Sequence, residues 1–377
     1  MKPNIHSEIG PLNKVFVFSP GDEHNDVLPI NIQPYIKNNK KIVENQDFLL
    51  FDDIVNLKSA KTQHETFFDI INFYNRDSCY DLRADFLEII DDLNIKIDYP
   101  IINLMYPRDI SAIIGKLVLL TKSSSYVRSI ENKITKHFFL NNKFFKDSEI
   151  IDFKDVGKGL SLEGGDIFVL SNDIIMIGIS ERTSLEAINL AIPYIFNHSF
   201  KYVVAVDLPK ERAMMHLDTI FTQTSFNEGI LFDNNDYKIK DLSVYVATKD
   251  SKDKNLKKQN FGFGDLFKEF GIKFNFISCG GSNKKFQLRE QLTDGANSFV
   301  LEPGKIIMYN CNQKTINELA KNGYKNLTDK MFYNDNLTFD KILKNESKVV
   351  ISINGSELVK GRGGPRCMTL PINRGQI

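Results

Sequence analysis

Near the end of the chain, Lys360-Gly361-Arg362-Gly363-Gly364-Pro365-Arg366-Cys367-Met368-Thr369-Leu370-Pro371 delivers a cysteine from a glycine-rich turn into a short apolar run. Such a backbone can bend sharply and approach a ligand, which suits a thiol nucleophile. Cations beside a thiol favour the thiolate, so Arg362 and Arg366 are expected to lower the pKa of Cys367. Met215-His216-Leu217-Asp218 adds an imidazole and a carboxylate two positions apart, which a strand would turn to the same side. Asp109 follows Tyr106-Pro107-Arg108, and Leu162-Glu163-Gly164-Gly165-Asp166 sets two acids around a glycine pair. Each has an ordinary reading as well: Asp109 a turn residue, Glu163 and Asp166 turn or cap acids, His216 a satisfied core histidine, Cys367 a small buried hydrophobe. Together they fit a thiol nucleophile served by an acid/base histidine and by carboxylates for a cationic substrate.

The elements that must position these residues alternate between short strands and helices. Strands are expected at 12–18, 101–105, 116–121, 166–170, 173–179, 202–206, 242–247, 273–277, 298–301, 305–309 and 348–353, with helices at 58–75, 80–94, 125–137, 184–197, 263–270 and 313–322. Thr183-x-x-Glu186 has the pattern of a capping box ahead of the helix at 184–197. Several strands come as pairs separated by turn residues, as in Phe168-Val169-Leu170-Ser171-Asn172-Asp173-Ile174-Ile175. Hairpins alternating with helices argue against a doubly wound parallel sheet and for repeated β-β-α units in one domain. Residues 22–46, which contain Lys37-Asn38-Asn39-Lys40-Lys41, read as an exposed loop, as does the charged stretch 248–259.

Composition narrows the partners. Forty-eight basic and forty-eight acidic residues cancel, so no overall field points to nucleic acid or an anionic membrane. No apolar run approaches the roughly 18 residues of a membrane span, and the N-terminus has no signal-peptide core. Cys79, Cys279, Cys311 and Cys367 form no CxxC pair, which makes a reducing, cytoplasmic location the expectation.

Taken with Ser7-Glu8-Ile9-Gly10-Pro11-Leu12 and Arg289-Glu290-Gln291-Leu292-Thr293-Asp294-Gly295-Ala296-Asn297, these motifs resemble those of arginine deiminase, in the guanidino-group-modifying superfamily. The resemblance implies an α/β fold: a five-bladed pseudosymmetric α/β-propeller of ββαβ-type units, with residues 1–377 as one catalytic domain and a shortened helical insertion at about 55–95. Asp53 to Asn103 is only 50 positions, room for two helices. It further implies hydrolysis of free L-arginine to L-citrulline and ammonia with no metal or organic cofactor. Cys367 would form an amidino-thioether, His216 would act as acid and base, Glu163 would orient the imidazole, and Asp109 and Asp218 would grip the guanidinium. Asn103, Arg128 and Arg182 match residues that clamp the α-carboxylate, Arg362 one that approaches the substrate, and Leu50 and Gly361 carbonyls that receive the α-ammonium. Amidino transfer from the same intermediate, or arginine binding without turnover, are the alternatives, with room left for a homo-oligomer such as a dimer.

Overall fold

The computed structural model describes every residue except Met1, Asn39 and Lys40. Five small sheets repeat one pattern: two antiparallel strands, then a helix-bearing crossover to a third strand parallel to the second. Ser111–Ile114, Leu117–Leu120 and Glu149–Asp152 form one such blade, with helix Ser129–Asn141 in the crossover. Ile167–Val169, Ile174–Ile179 and Tyr202–Asp207 form the next, joined by helix Leu185–Phe196. Phe221–Ser225, Glu228–Leu231 and Asn275–Ser278 follow, then Phe299–Glu302, Lys305–Tyr309 and Val349–Ile353. The remaining blade uses both ends of the chain: Leu370–Arg374 lies antiparallel to Leu12–Val17, which pairs in parallel with Cys79–Asp81. This is the five-bladed α/β-propeller expected from the sequence.

Local chemistry explains the elements. Ile174–Ile179 is buried at every position, as a strand covered on both faces should be, and its run of branched residues suits that burial. Helix Leu57–Tyr74 starts at Asn56, whose side chain accepts from the Ser59 N–H, and buries Ala60, Phe67, Ile70 and Ile71 along one stripe. It is the crossover helix of the blade built from both chain ends, while Arg83–Asp92 leads on from that blade to the next. The segment 55–95 thus supplies the propeller's own helix plus one connecting helix.

Neighbouring blades are tied by hydrogen bonds, among them Gly304 N–H to Thr224 O at 2.8 Å and Arg374 Nη2 to Val300 O at 2.7 Å. Just before the first strand of each blade the chain makes a turn. Three of these turns are short 3-10 helices, Pro107–Ile110, Gly164–Asp166 and Leu217–Thr219. The other two are the segments 294–297 and 364–369.

Several local expectations are corrected. Ile102–Met105 is a 3-10 turn rather than a strand, so Asp109 precedes the strand Ser111–Ile114 instead of following one. His216 and Asp218 lie in and beside a 3-10 turn, so they do not share a strand face. The cap of helix Leu185–Phe196 is Ser184, whose hydroxyl accepts from the Ala187 N–H, and not Thr183. Residues 22–46 include an antiparallel hairpin, Tyr35–Asn38 with Lys41–Glu44; the lysine-rich run expected there falls partly outside the described residues. Lys257–Gly262 is a strand paired with Ser243–Thr248, where a loop was expected. Among the described residues no helix is long and apolar enough to cross a membrane.

Candidate active site

The turns that introduce the blades bring the reactive residues together, because each of those residues lies only a few positions ahead of a first strand. Cys367 precedes Leu370, Asp109 precedes Ser111, Glu163 precedes Ile167, and His216 and Asp218 precede Phe221. All five side chains are buried. Cys367 and Asp109 are linked directly through their own segments, since the Arg108 N–H donates to the Cys367 carbonyl at 3.2 Å.

The Cys367 Sγ lies 3.4 Å from Asp218 Oδ2 and accepts from Asn297 Nδ2 at 3.1 Å. Burial pushes the thiol pKa well up, and Asp218, Asp109 and Asp294 push it further. The cysteine therefore rests as a thiol, and the expectation that its flanking arginines would lower its pKa is corrected. Arg366 turns away, bidentate to Glu8 at 3.0 and 2.7 Å and to Asp218 Oδ2 at 2.8 Å, with its guanidinium 3.7 Å from the Phe168 ring centroid. Arg362 donates to Leu292 O at 3.2 Å and lies 2.9 Å from Asp52 Oδ2.

His216 Nε2 meets Glu163 Oε2 at 2.8 Å, and Nδ1 lies 3.7 Å from Asp109 Oδ1. Burial would push the imidazole down, but Asp109, the bond to Glu163 and Asp166 outweigh it and hold its pKa up at about 10. At neutral pH His216 is an imidazolium, ready to give a proton. Burial pulls the Glu163 pKa up, but the bond to His216 and the charge of Arg182 hold it below the usual carboxylate range. Its other oxygen accepts from Ser124 N–H at 2.7 Å and Ser123 Oγ at 3.0 Å, which fixes the carboxylate plane. Gly165 makes the approach of histidine and acid feasible: a Cβ there would stand 2.6 Å from His216 Nδ1 and 3.0 Å from Asp109 Oδ1.

The two carboxylates expected to grip a guanidinium differ. Asp109 is engaged on both oxygens, with Arg128 Nη1 at 2.9 Å and the Gly165 N–H at 3.2 Å. Asp218 uses Oδ2 for Arg366, whereas its buried Oδ1 has no hydrogen-bond partner among the described residues. An unpaired buried carboxylate oxygen beside a thiol is costly unless a ligand donates to it.

The residues expected around the α-carboxylate form a looser set. Arg128 is held by Glu131 Oε2 at 2.7 Å, by Asp109 and by the Asn103 carbonyl at 3.2 Å. The Asn103 amide donates to Leu49 O at 3.0 Å. Arg182 donates to Ser124 Oγ at 3.3 Å, and its Nε lies 3.3 Å from Glu181 Oε1, an ion pair that does not reach hydrogen-bond geometry. Leu50, at φ 66°, points its carbonyl at Arg212 Nη2, 2.9 Å away, so a ligand ammonium would share that oxygen. Gly361 must be glycine, since a Cβ would stand 2.3 Å from Tyr106 Oη.

Asp109, Glu163 and His216 also offer ligand atoms within 4.8 Å of one another. The imidazolium would have to lose its proton before binding a metal, and Arg128 already supplies a positive charge against Asp109, so the trio reads better as a proton-handling set. Sequence reasoning gave no role to Asn297, Glu131 or Arg212, and it set Arg366 beside the thiol rather than on Glu8 and Asp218. Asn297 and Arg366 stand inside motifs already singled out, and only their contacts reveal what they hold.

Comparison with known proteins places the chain in a family. Residues 81–374 match the family model described as arginine deiminase. The arginine deiminase of Borreliella burgdorferi is 30% identical over 443 aligned positions, covering 99% of this chain and 98% of that protein. The alignment exceeds the 377 residues present here, so the relative carries segments this chain lacks. Among solved structures, the product-bound N-terminal domain of ArgZ, an arginine dihydrolase from cyanobacteria, superposes with a TM-score of 0.56 at 15% identity, covering 96% of this chain and 97% of that one. SxtG, an amidinotransferase from Microseira wollei, reaches 0.60 at 11% identity, covering 100% and 98%. Those two share the fold, and the family match is carried by sequence: the chain belongs to the arginine deiminase family.

Proposed function

We propose that this protein hydrolyses free L-arginine to L-citrulline and ammonia through a covalent intermediate on Cys367, with residues 1–377 acting as one catalytic unit. The observation that carries the mechanism is the buried thiol beside Asp218, whose Oδ1 lacks a partner among the described residues. A flat cation completes that arrangement. The substrate guanidinium donates to Asp218 and shares Asp109 with Arg128, and its positive charge favours ionisation of the thiol, whose proton passes to solvent. Sγ then adds to the guanidinium carbon. The bond from that carbon to one terminal nitrogen breaks as His216 delivers a proton, and ammonia leaves. Neutral His216 next takes a proton from water, the oxygen adds to the carbon, and the S–C bond breaks as the hydroxyl proton passes to the departing sulfur, returning the thiol and leaving the ureido group of citrulline.

Arg128, Arg182 and Asn103 receive the α-carboxylate, Leu50 and Gly361 offer backbone carbonyls to the α-ammonium, and Arg362 lines the approach. The buried guanidinium of Arg182, whose Nε lies 3.3 Å from Glu181 Oε1 outside hydrogen-bond geometry, supports an anion at that end of the substrate. Agmatine, which lacks the carboxylate, and arginine within a peptide are then poor substrates. The four free cysteines fit a reducing compartment, and we place the protein in the cytoplasm.

Likeness to an amidinotransferase fold keeps one second reading, in which an amine intercepts the thioether in place of water. Citrulline and ammonia are measured with arginine, agmatine and a blocked arginine peptide, each with and without glycine or ornithine. Citrulline from arginine alone supports hydrolysis, whereas a product that requires the added amine supports transfer. Cys367→Ala is expected to abolish citrulline formation while still binding arginine by calorimetry; turnover that survives loss of the thiol refutes the mechanism.

A further inference from the structure

The turn 294–297, Asp294-Gly295-Ala296-Asn297, has no part in the mechanism above, yet it meets the nucleophile. Asn297 is fully buried and its side chain makes three bonds. Nδ2 donates to Cys367 Sγ at 3.1 Å and to the Asp218 carbonyl at 3.2 Å, and Oδ1 accepts from the Arg366 N–H at 3.0 Å. Chemistry sets the direction of the amide. A backbone N–H can only donate, so the amide oxygen must face Arg366 and the NH2 group must face the sulfur. Gly364 makes room for this contact, because a Cβ there would stand 2.5 Å from Asn297 Oδ1. The sulfur is otherwise surrounded by acids, with Asp218 Oδ2 at 3.4 Å. A hydrogen bond to the charged form of a group favours that form, so an amide N–H at Sγ opposes the repulsion those carboxylates exert on a thiolate.

We infer that Asn297 is a further catalytic residue, whose side-chain amide holds Cys367 Sγ in place and stabilises its thiolate. The inference rests on Cys367 being the nucleophile. The same amide bonds to the backbone on either side of the site, at Asp218 and Arg366, so one side chain sets the spacing between the sulfur and the carboxylate that grips the substrate.

The test uses full-length Asn297→Ala and Asn297→Ser, neither of which adds a charge. Two quantities are read: kcat and KM for arginine, and the pH dependence of Cys367 alkylation by iodoacetamide without substrate. Alkylation is followed by mass spectrometry of the peptide carrying Cys367; the thiol proton goes to solvent and iodide leaves. We expect kcat to fall about tenfold or more, KM to stay within about threefold, and the alkylation profile to move about one pH unit higher. A kcat within about twofold of the parent overturns the inference. So does a fallen kcat with an unmoved alkylation profile, since that is what a merely structural role would produce. Thermal melts check folding, and the smaller change to serine is read where the alanine variant does not fold. A shifted alkylation profile in a protein that does not hydrolyse arginine would sink the proposed function and leave the thiolate contact standing. Normal turnover with no shift would sink this inference alone.

Discussion

Glu163→Gln keeps the volume of the side chain and removes one charge from the centre of the site. In the parent, one carboxylate oxygen faces His216 Nε2 at 2.8 Å, and the other accepts from Ser124 N–H at 2.7 Å and Ser123 Oγ at 3.0 Å. Glutamine has a single oxygen. Whichever way its amide turns, the NH2 group meets either the Ser124 N–H or the imidazolium N–H, and one buried donor loses its partner. A hydrogen bond to a charged group contributes about 1.5–3 kcal/mol, which corresponds to lowering the imidazole pKa by about one to two. Starting from about 10, His216 would titrate nearer 8 to 9. A raised histidine pKa stabilises the fold fully below its unfolded value of 6.5, and that contribution is lost as pH rises through about 10. Citrulline release measured from pH 6 to 10.5 should therefore show the alkaline limb of kcat moving down by one pH or more, with kcat at pH 7 reduced about tenfold by the misaligned ring. Urea unfolding should show the variant less stable at pH 6 and the deficit shrinking by pH 10.5. An unmoved alkaline limb, or a deficit equal at both pH values, would refute the pairing of Glu163 with a charged His216.

Two further outcomes follow from the same geometry. Arg182→Ala should raise KM for arginine at least about thirtyfold with a smaller change in kcat, because a charge-assisted contact of about 2 kcal/mol made equally in ground and transition states is removed; an unchanged KM by steady-state kinetics would move the carboxylate subsite elsewhere. Burial raises the Asp294 pKa from 3.8 to about 8, with Arg362 opposing and Asp218 and Asp52 reinforcing, so the native state holds an extra proton between those values and parent stability falls with rising pH by up to about 1.4 kcal/mol per pH. Asp294→Asn should flatten that decline between pH 5 and 8 in urea titrations, and parallel slopes for parent and variant would contradict it.

The alternation of strands and helices was legible because periodicity is local. Ile174–Ile179 reads as a strand and Leu185–Phe196 as a helix from their own residues. Short segments misled for the same reason: the apolar runs at Ile102–Met105 and around His216 carry no signal that separates a strand from a 3-10 turn. Strand Lys257–Gly262 was hidden because an exposed edge strand can be as charged as a loop.

The sequence by itself determined which reactive groups exist, a thiol, an imidazole and acids, and that Glu163 and Cys367 come just ahead of strands. Side-chain chemistry and hydrophobic period are written residue by residue. Only the tertiary structure decided which charge meets which. Arg366 lies on Glu8 and Asp218 instead of beside the thiol, Arg128 sits on Asp109, and Asn297 reaches a cysteine 70 positions away. Protonation follows from those meetings, because a buried group's pKa depends on burial and on neighbours from distant blades, and no local pattern of residues encodes either.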